Sequence, residues 1–228
     1  MREYFDNELK QLNYELVDMA SIAEGMIQKV NHNIGIYNEE ELDEVKAYYQ
    51  KIDRKQRFIE SECMKLLLLQ QPVASDLRQI SSILKMINDL QRIGDQAENI
   101  AEILSITNKT CVSMNVEVKE MANLCVKMLN DGVNSFVNKD LKLANSVISM
   151  DDKIDNNFNI VKEQLTNSFD ATKKKFNYAN VKNFNLSILA EASEKTLKIG
   201  NAVKYGAIAA VSLGLITALA TKLKERDN

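Results

Sequence analysis

Aspartates spaced by one helical turn are the residues of this sequence best placed to do chemistry. Asp151 and Asp155 are four positions apart, and Asp95 follows Gln91 at the same interval. On a helix this spacing puts two side chains on one face, and their oxygens suit hard or borderline cations. Asp53 recurs 102 residues later as Asp155. The pattern is compatible with a metal site; the alternative is that these acids lie on solvated helix faces.

Enzymatic chemistry has little support in the sequence. The chain has one histidine, His32, which excludes a di-iron bundle built from two Glu-x-x-His pairs and most histidine-dependent acid–base chemistry. No glycine-rich nucleotide loop, metalloprotease motif or nucleophile elbow occurs. We interpret His32 as a surface or loop residue, and we predict that the protein is not an enzyme.

The elements that must position the aspartates are helices. The 228 residues include one proline and seven glycines, so the chain has few places to turn. Sandwiches, barrels and multi-strand α/β folds need a turn about every 8–12 residues and are excluded. The net charge of −3 gives no basic excess for binding nucleic acid. The sequence predicts an all-α protein with few, long helices.

Apolar periodicity divides the chain into six predicted helices, and the third has the clearest seam. Pro72, the only proline, separates the second helix from the third. Polar residues at 107–110 predict a short junction, and the basic stretch 171–182 predicts a loop. The predicted helices cover about 3–36, 39–70, 73–106, 115–137, 140–169 and 178–223. The seam of the third alternates steps of three and four residues: Ile80, Ile83, Ile87, Leu90, Gly94, Ala97, Ala101 and Leu104.

An internal repeat groups these helices into two sets of three. The pair Met19-Ala20 recurs as Met121-Ala122, 102 residues later, and the offset grows to 106 by the third helix of each set. A repeat of this length predicts two tandem three-helix bundles packed side by side, over residues 1–108 and 109–228.

The cysteines and the C-terminal segment bear on where the protein works. Cys63, Cys111 and Cys125 are odd in number and lack CxxC spacing, so we predict buried free thiols in a reducing cytoplasm. The apolar run 206–220 is shorter than the ~20 residues that span a bilayer. We interpret it as a buried or docking helix and keep peripheral membrane contact as an alternative.

The most distinctive stretches of the sequence are QQPVASDLR at 70–78, NDLQRIGD at 88–95 and NIAE at 99–102. These stretches, and the opening REYFDNELKQLNYEL at 2–16, resemble the PhoU family of bacterial and archaeal regulators linked to phosphate uptake. The resemblance extends over essentially the whole chain and weakens after about residue 170.

This resemblance implies a fold, a role and partners. The fold would be two three-helix bundles side by side. The role would be negative regulation of phosphate uptake and of the phosphate-starvation response, through contacts with the ATPase subunit of the phosphate ABC transporter and with a sensor histidine kinase. The resemblance also implies a cytoplasmic homodimer. Two alternatives are a helical metal-binding protein without a phosphate role and a membrane-associated adaptor that uses 206–220.

Members of the family also bind iron or zinc clusters through Glu/Asp-x-x-x-Asp motifs on the second and third helices of each bundle. Carried over to this chain, half of the acids are present, and we expect a weak divalent site rather than a constitutive cluster. The present acids, predicted as metal ligands, are Asp53, Asp95, Asp151 and Asp155; the other positions hold Tyr49, Gln91, Leu197 and Asn201. The alternative is that the acids are solvated or pair with Arg54, Arg92 or Lys153 across helices.

Overall fold

The computed structural model describes residues 2–69, 72–107 and 116–178, together with 198 and 204. Every element in these ranges is a helix, which confirms the all-α class. The sixth predicted helix and the apolar run 206–220 lie outside the described residues, apart from Lys198 and Lys204. The described helices are α1 (Arg2–Asn33), α2 (Glu39–Leu69), α3 (Ala74–Thr107), α4 (Val116–Asn138) and α5 (Leu141–Tyr178).

Side chains cap the starts of α2 and α3. Asn38 precedes α2, and its Oδ1 accepts hydrogen bonds from the backbone N–H of Glu40 at 3.1 Å and of Glu41 at 3.4 Å. Asp76, in the first turn of α3, accepts a hydrogen bond from the backbone N–H of Val73 at 3.2 Å. These contacts satisfy amide groups that have no partner within a helix, so each helix begins at a defined residue.

The end of α5 corrects one sequence prediction. The basic stretch 171–182 was predicted as a loop, but α5 continues to Tyr178. This part of the chain contains no proline or glycine, and its alanine and lysines are good helix formers. Its polar character therefore does not mark a turn, at least as far as Tyr178.

The predicted seams form the core. In the first bundle α1, α2 and α3 contact one another, α4 packs on α5, and α1 packs on α4 to join the two bundles. The Nδ2 of Asn31 donates a hydrogen bond to Oδ1 of Asn123 across this α1–α4 contact, at 2.9 Å. The apolar residues predicted for the α3 seam are all buried, and a single hydrophobic cluster runs through both bundles. The domain boundary after residue 108 stays a prediction.

Candidate metal centres

The first pair of predicted ligands flanks a close approach of α2 and α3. A Cβ built on Gly94 would lie 3.0 Å from Cδ1 of Ile52, so the absence of a side chain at Gly94 lets the two helices pack closely. Asp53 and Asp95 each follow one of these two contacting residues in the chain. Both aspartates are partly buried on neighbouring helices.

Asp95 is held by neutral hydrogen-bond donors. The hydroxyl of Tyr49, on α2, hydrogen-bonds to the Asp95 carboxylate, and this bond, with burial, raises the pKa of Tyr49. The Nε2 of Gln91 donates to Asp95 Oδ1 at 3.3 Å, while Gln91 Oε1 is buried and accepts no hydrogen bond from the described residues. Tyr49 and Gln91 occupy the positions at which the family motif has acids, so donors have replaced two of the ligands.

Asp53 has a cationic partner on its own helix. Its Oδ2 lies 2.8 Å from Nη2 of Arg57, one turn further along α2. Arg54, one of the partners considered for these acids, donates from Nε to the backbone oxygen of Gln50 at 3.2 Å. Arg92 forms an ion pair with Asp89 on its own helix, at 3.1 Å. Asp53 and Arg92 are therefore each paired with a residue of their own helix.

The second pair of predicted ligands, on α5, faces a lysine. The Nζ of Lys204 lies 2.8 Å from Oδ1 of Asp155 and 5.1 Å from the centroid of the Phe158 ring. Burial, followed by the charge of Asp155, raises the pKa of Asp151, and the charge of Lys204 opposes this. Asp151 Oδ1 is buried and accepts no hydrogen bond from the described residues. Sequence reasoning missed Lys204, which lies 49 positions from Asp155 and outside the metal motif.

These surroundings do not fit a multinuclear metal cluster. Within the described ranges, no three or more His, Cys, Asp or Glu side chains converge as a metal site. Each pair of acids offers two carboxylates, and the groups around them include a tyrosine hydroxyl, an amide, an arginine and a lysine. Glu98 also lies near Asp95: burial, followed by the charge of Asp95, raises the pKa of Glu98. Hard cations take six or more oxygen ligands, usually with several carboxylates. The assignment of Asp53, Asp95, Asp151 and Asp155 as metal ligands stays a prediction.

The structure also locates His32 and two of the three cysteines. His32 is exposed at the end of α1, and its Nδ1 lies 2.8 Å from Oε2 of Glu41. Its neighbour Asn33 is buried; its Nδ2 donates to Glu41 Oε2 at 2.7 Å, and its Oδ1 accepts from the backbone N–H of Asn38 at 2.7 Å. Sequence reasoning missed this cluster, because periodicity carries no information about side-chain bonds across a turn. Cys63 and Cys125 are buried and form no disulfide, while Cys111 lies outside the described residues.

A charged groove lies between α1 and α2 and was also missed. Lys55 anchors it through ion pairs with Glu15 at 2.7 Å and Asp18 at 2.6 Å. This network joins two helices of the first bundle on the outer surface. The cavity has a volume of about 480 Å³, and its remaining lining residues are Ile22, Lys51, Arg54 and Phe58.

This chain is similar in sequence and in fold to known proteins. The PhoU domain profile matches residues 16–104 and 118–189, in both halves of the chain. The Aquifex aeolicus protein named as a phosphate-specific transport system accessory protein PhoU homolog is 34% identical, over 60% of this chain and 62% of its own length. The Clostridium acetobutylicum protein of the same name is 31% identical, over 63% of this chain and 66% of its own length. Each of these matches spans less than two thirds of the relative.

Solved structures agree over nearly the whole chain. The crystal structure of PhoU from Pseudomonas aeruginosa has a TM-score of 0.84 at 21% identity and covers 96% of this chain and 99% of that one. The phosphate transport system regulatory protein PhoU from Streptococcus pneumoniae has a TM-score of 0.82 at 20% identity, with 95% and 96% coverage. No helix among the described residues is long and apolar enough to cross a membrane. The profile match in both halves, on this helical architecture, shows that the chain belongs to the PhoU domain family.

Proposed function

We propose that this protein is a negative regulator of phosphate uptake and of the phosphate-starvation response. It acts through contacts with the ATPase subunit of a phosphate ABC transporter and with a sensor histidine kinase, as a cytoplasmic homodimer and not as an enzyme. The observation that carries the proposal is the PhoU domain match in both halves of the chain. Relatives named as phosphate transport accessory proteins support it.

Exposed apolar side chains near the end of α2 and the start of α3 suit contact with such partners. Leu68, in the last turn of α2, is 78% exposed, and Leu77, in the first turn of α3, is 45% exposed. Val73, between the two helices, is also exposed, at 55%. Apolar side chains that project from adjacent helix ends bury area when a partner docks. We propose that Leu68, Val73 and Leu77 contact the transporter ATPase.

Capture of the purified ATPase subunit tests the contact. We expect immobilised full-length protein to retain the ATPase, and the double variant Leu68→Glu/Leu77→Glu to retain it about tenfold less, because losing one hot-spot contact commonly costs over 1 kcal/mol. Tyr14→Glu, at a 70% exposed position on α1, is the control and should bind like wild type. Retention of neither the ATPase nor a sensor kinase by the wild-type chain would refute the proposed function.

A deletion strain tests the regulatory role itself. Without the gene, phosphate-starvation genes should be expressed at high phosphate, and a plasmid copy of the wild-type gene should restore repression. The variant Leu68→Glu/Leu77→Glu should fail to restore it, whereas Tyr14→Glu should succeed. Normal repression in the deletion strain would contradict the assignment.

A further inference from the structure

An ammonium group lies against the second pair of motif acids. Lys204 Nζ is 2.8 Å from Asp155 Oδ1. The same Nζ is 5.1 Å from the centroid of the Phe158 ring, and Phe158 lies on α5 with Asp155. Asp151, one turn before Asp155 on α5, adds a second carboxylate to the same face. One cation thus faces two acids and an aromatic ring, an arrangement in which the ring face attracts positive charge as well.

We propose that Lys204 is the resident cation of this acid pair and takes the place at which the family motif holds a metal ion. The lysine carries one positive charge on a flexible stem, and it neutralises half of the charge of the two carboxylates. The second bundle then needs no metal to offset the repulsion between Asp151 and Asp155.

The contacts account for why a metal is disfavoured here. A divalent ion at the two carboxylates would have to displace the ammonium or sit beside it, and like charges at this separation repel strongly near a protein surface. Two carboxylates without further acidic ligands offset little of that cost. In the first bundle Asp95 is likewise satisfied from within the protein, by the Tyr49 hydroxyl and the Gln91 amide.

Binding of Mn²⁺ to the purified full chain tests the role of Lys204, with free ion measured from its electron paramagnetic resonance signal. We expect Lys204→Gln to bind Mn²⁺ at least about tenfold more tightly than wild type, because the variant removes a like charge beside the carboxylates. Lys204→Arg keeps the charge and should bind as weakly as wild type. In Lys204→Gln/Asp155→Asn the gained affinity should disappear.

Three results would overturn the proposal: stoichiometric micromolar Mn²⁺ binding by wild type, equal affinities of Lys204→Gln and wild type, or tight binding by Lys204→Arg. Circular dichroism establishes that each variant is folded. If Lys204→Gln does not fold, Asp151→Asn/Asp155→Asn replaces it: labelling of Lys204 by an amine-reactive reagent should rise over wild type, and unchanged labelling would refute the ion pair. No phosphate partner enters these measurements, so they are independent of the proposed function.

Discussion

Restoring the two missing acids of the first bundle should create a metal site with four carboxylates. Tyr49 and Asp53 lie one turn apart on α2, and Gln91 and Asp95 lie one turn apart on α3. The Tyr49–Asp95 hydrogen bond shows that the two helices bring these positions within contact. The substitutions Tyr49→Glu and Gln91→Glu together would therefore gather four carboxylates, enough for a divalent cation.

The expected change in stability of the variant Tyr49→Glu/Gln91→Glu follows from the contacts that it alters. The double variant loses the Tyr49 hydroxyl bond to a carboxylate, worth about 1.5–3 kcal/mol when buried; for this partly exposed pair we take about 1–2 kcal/mol. Two added negative charges beside Asp95 contribute further repulsion, so the metal-free variant should be about 2–4 kcal/mol less stable than wild type. At a Mn²⁺ concentration of about 100 times Kd, binding should restore about 2.7 kcal/mol.

Thermal unfolding with EDTA or with Mn²⁺ measures both effects. For a chain of this size 1 kcal/mol corresponds to roughly 2–4 °C in Tm, so Mn²⁺ should raise the Tm of the double variant by about 5–10 °C. Tyr49→Gln alone removes the hydroxyl without adding charge, and its Tm should not respond to Mn²⁺. An equal Mn²⁺ response in wild type, or none in the double variant, would refute the reasoning.

Three further predictions concern stability. Asn33→Ala should lower the free energy of unfolding, measured in urea, by about 2–4 kcal/mol, because it removes the hydrogen bonds of Asn33 with Glu41 and Asn38. Substitution of the exposed His32 by alanine should lower it by under ~1 kcal/mol. Burial raises the pKa of the Cys63 and Cys125 thiols from 9.0 to about 12. The two neutral thiols therefore contribute fully to the free energy of unfolding below about pH 9. Above pH 9 this contribution falls by up to ~1.4 kcal/mol per pH unit per thiol. In thermal melts at pH 8–11, the variant Cys63→Ala/Cys125→Ala should show a smaller decline in stability than wild type. Gly94→Leu should lower stability by about 1–3 kcal/mol through overpacking, and an unchanged Tm would contradict the close α2–α3 contact.

Much of the fold could be predicted because its determinants are local and periodic. The α3 seam followed directly from the spacing of its apolar residues, whereas the close approach of α2 at Gly94 came from the structure. The loop predicted over 171–182 shows the limit of such reasoning. Polarity alone does not end a helix, and the stretch up to Tyr178 contains no residue that breaks one.

The surroundings of the motif acids could not be predicted from spacing. The positions of Asp95 and Asp155 came from motif and repeat, but their partners are set by how helices pack. Tyr49 looked like the loss of a ligand, yet its hydroxyl bonds to Asp95 from the neighbouring helix. Lys204 lies outside any motif, and only the tertiary structure brings it to Asp155.

Asp95 and Asp155 each have a partner in the protein that does not depend on a metal. Asp95 joins α3 to α2 through Tyr49, and Asp155 joins α5 to Lys204. Loss of either carboxylate would leave a polar partner without its bond, which costs free energy when the site is partly buried. A regulator built in this way would present its contact surfaces whether or not metal is available. Protein treated with a chelator should therefore capture the transporter ATPase as well as untreated protein does, and loss of capture restored by Mn²⁺ would show that metal holds the contact surface in place.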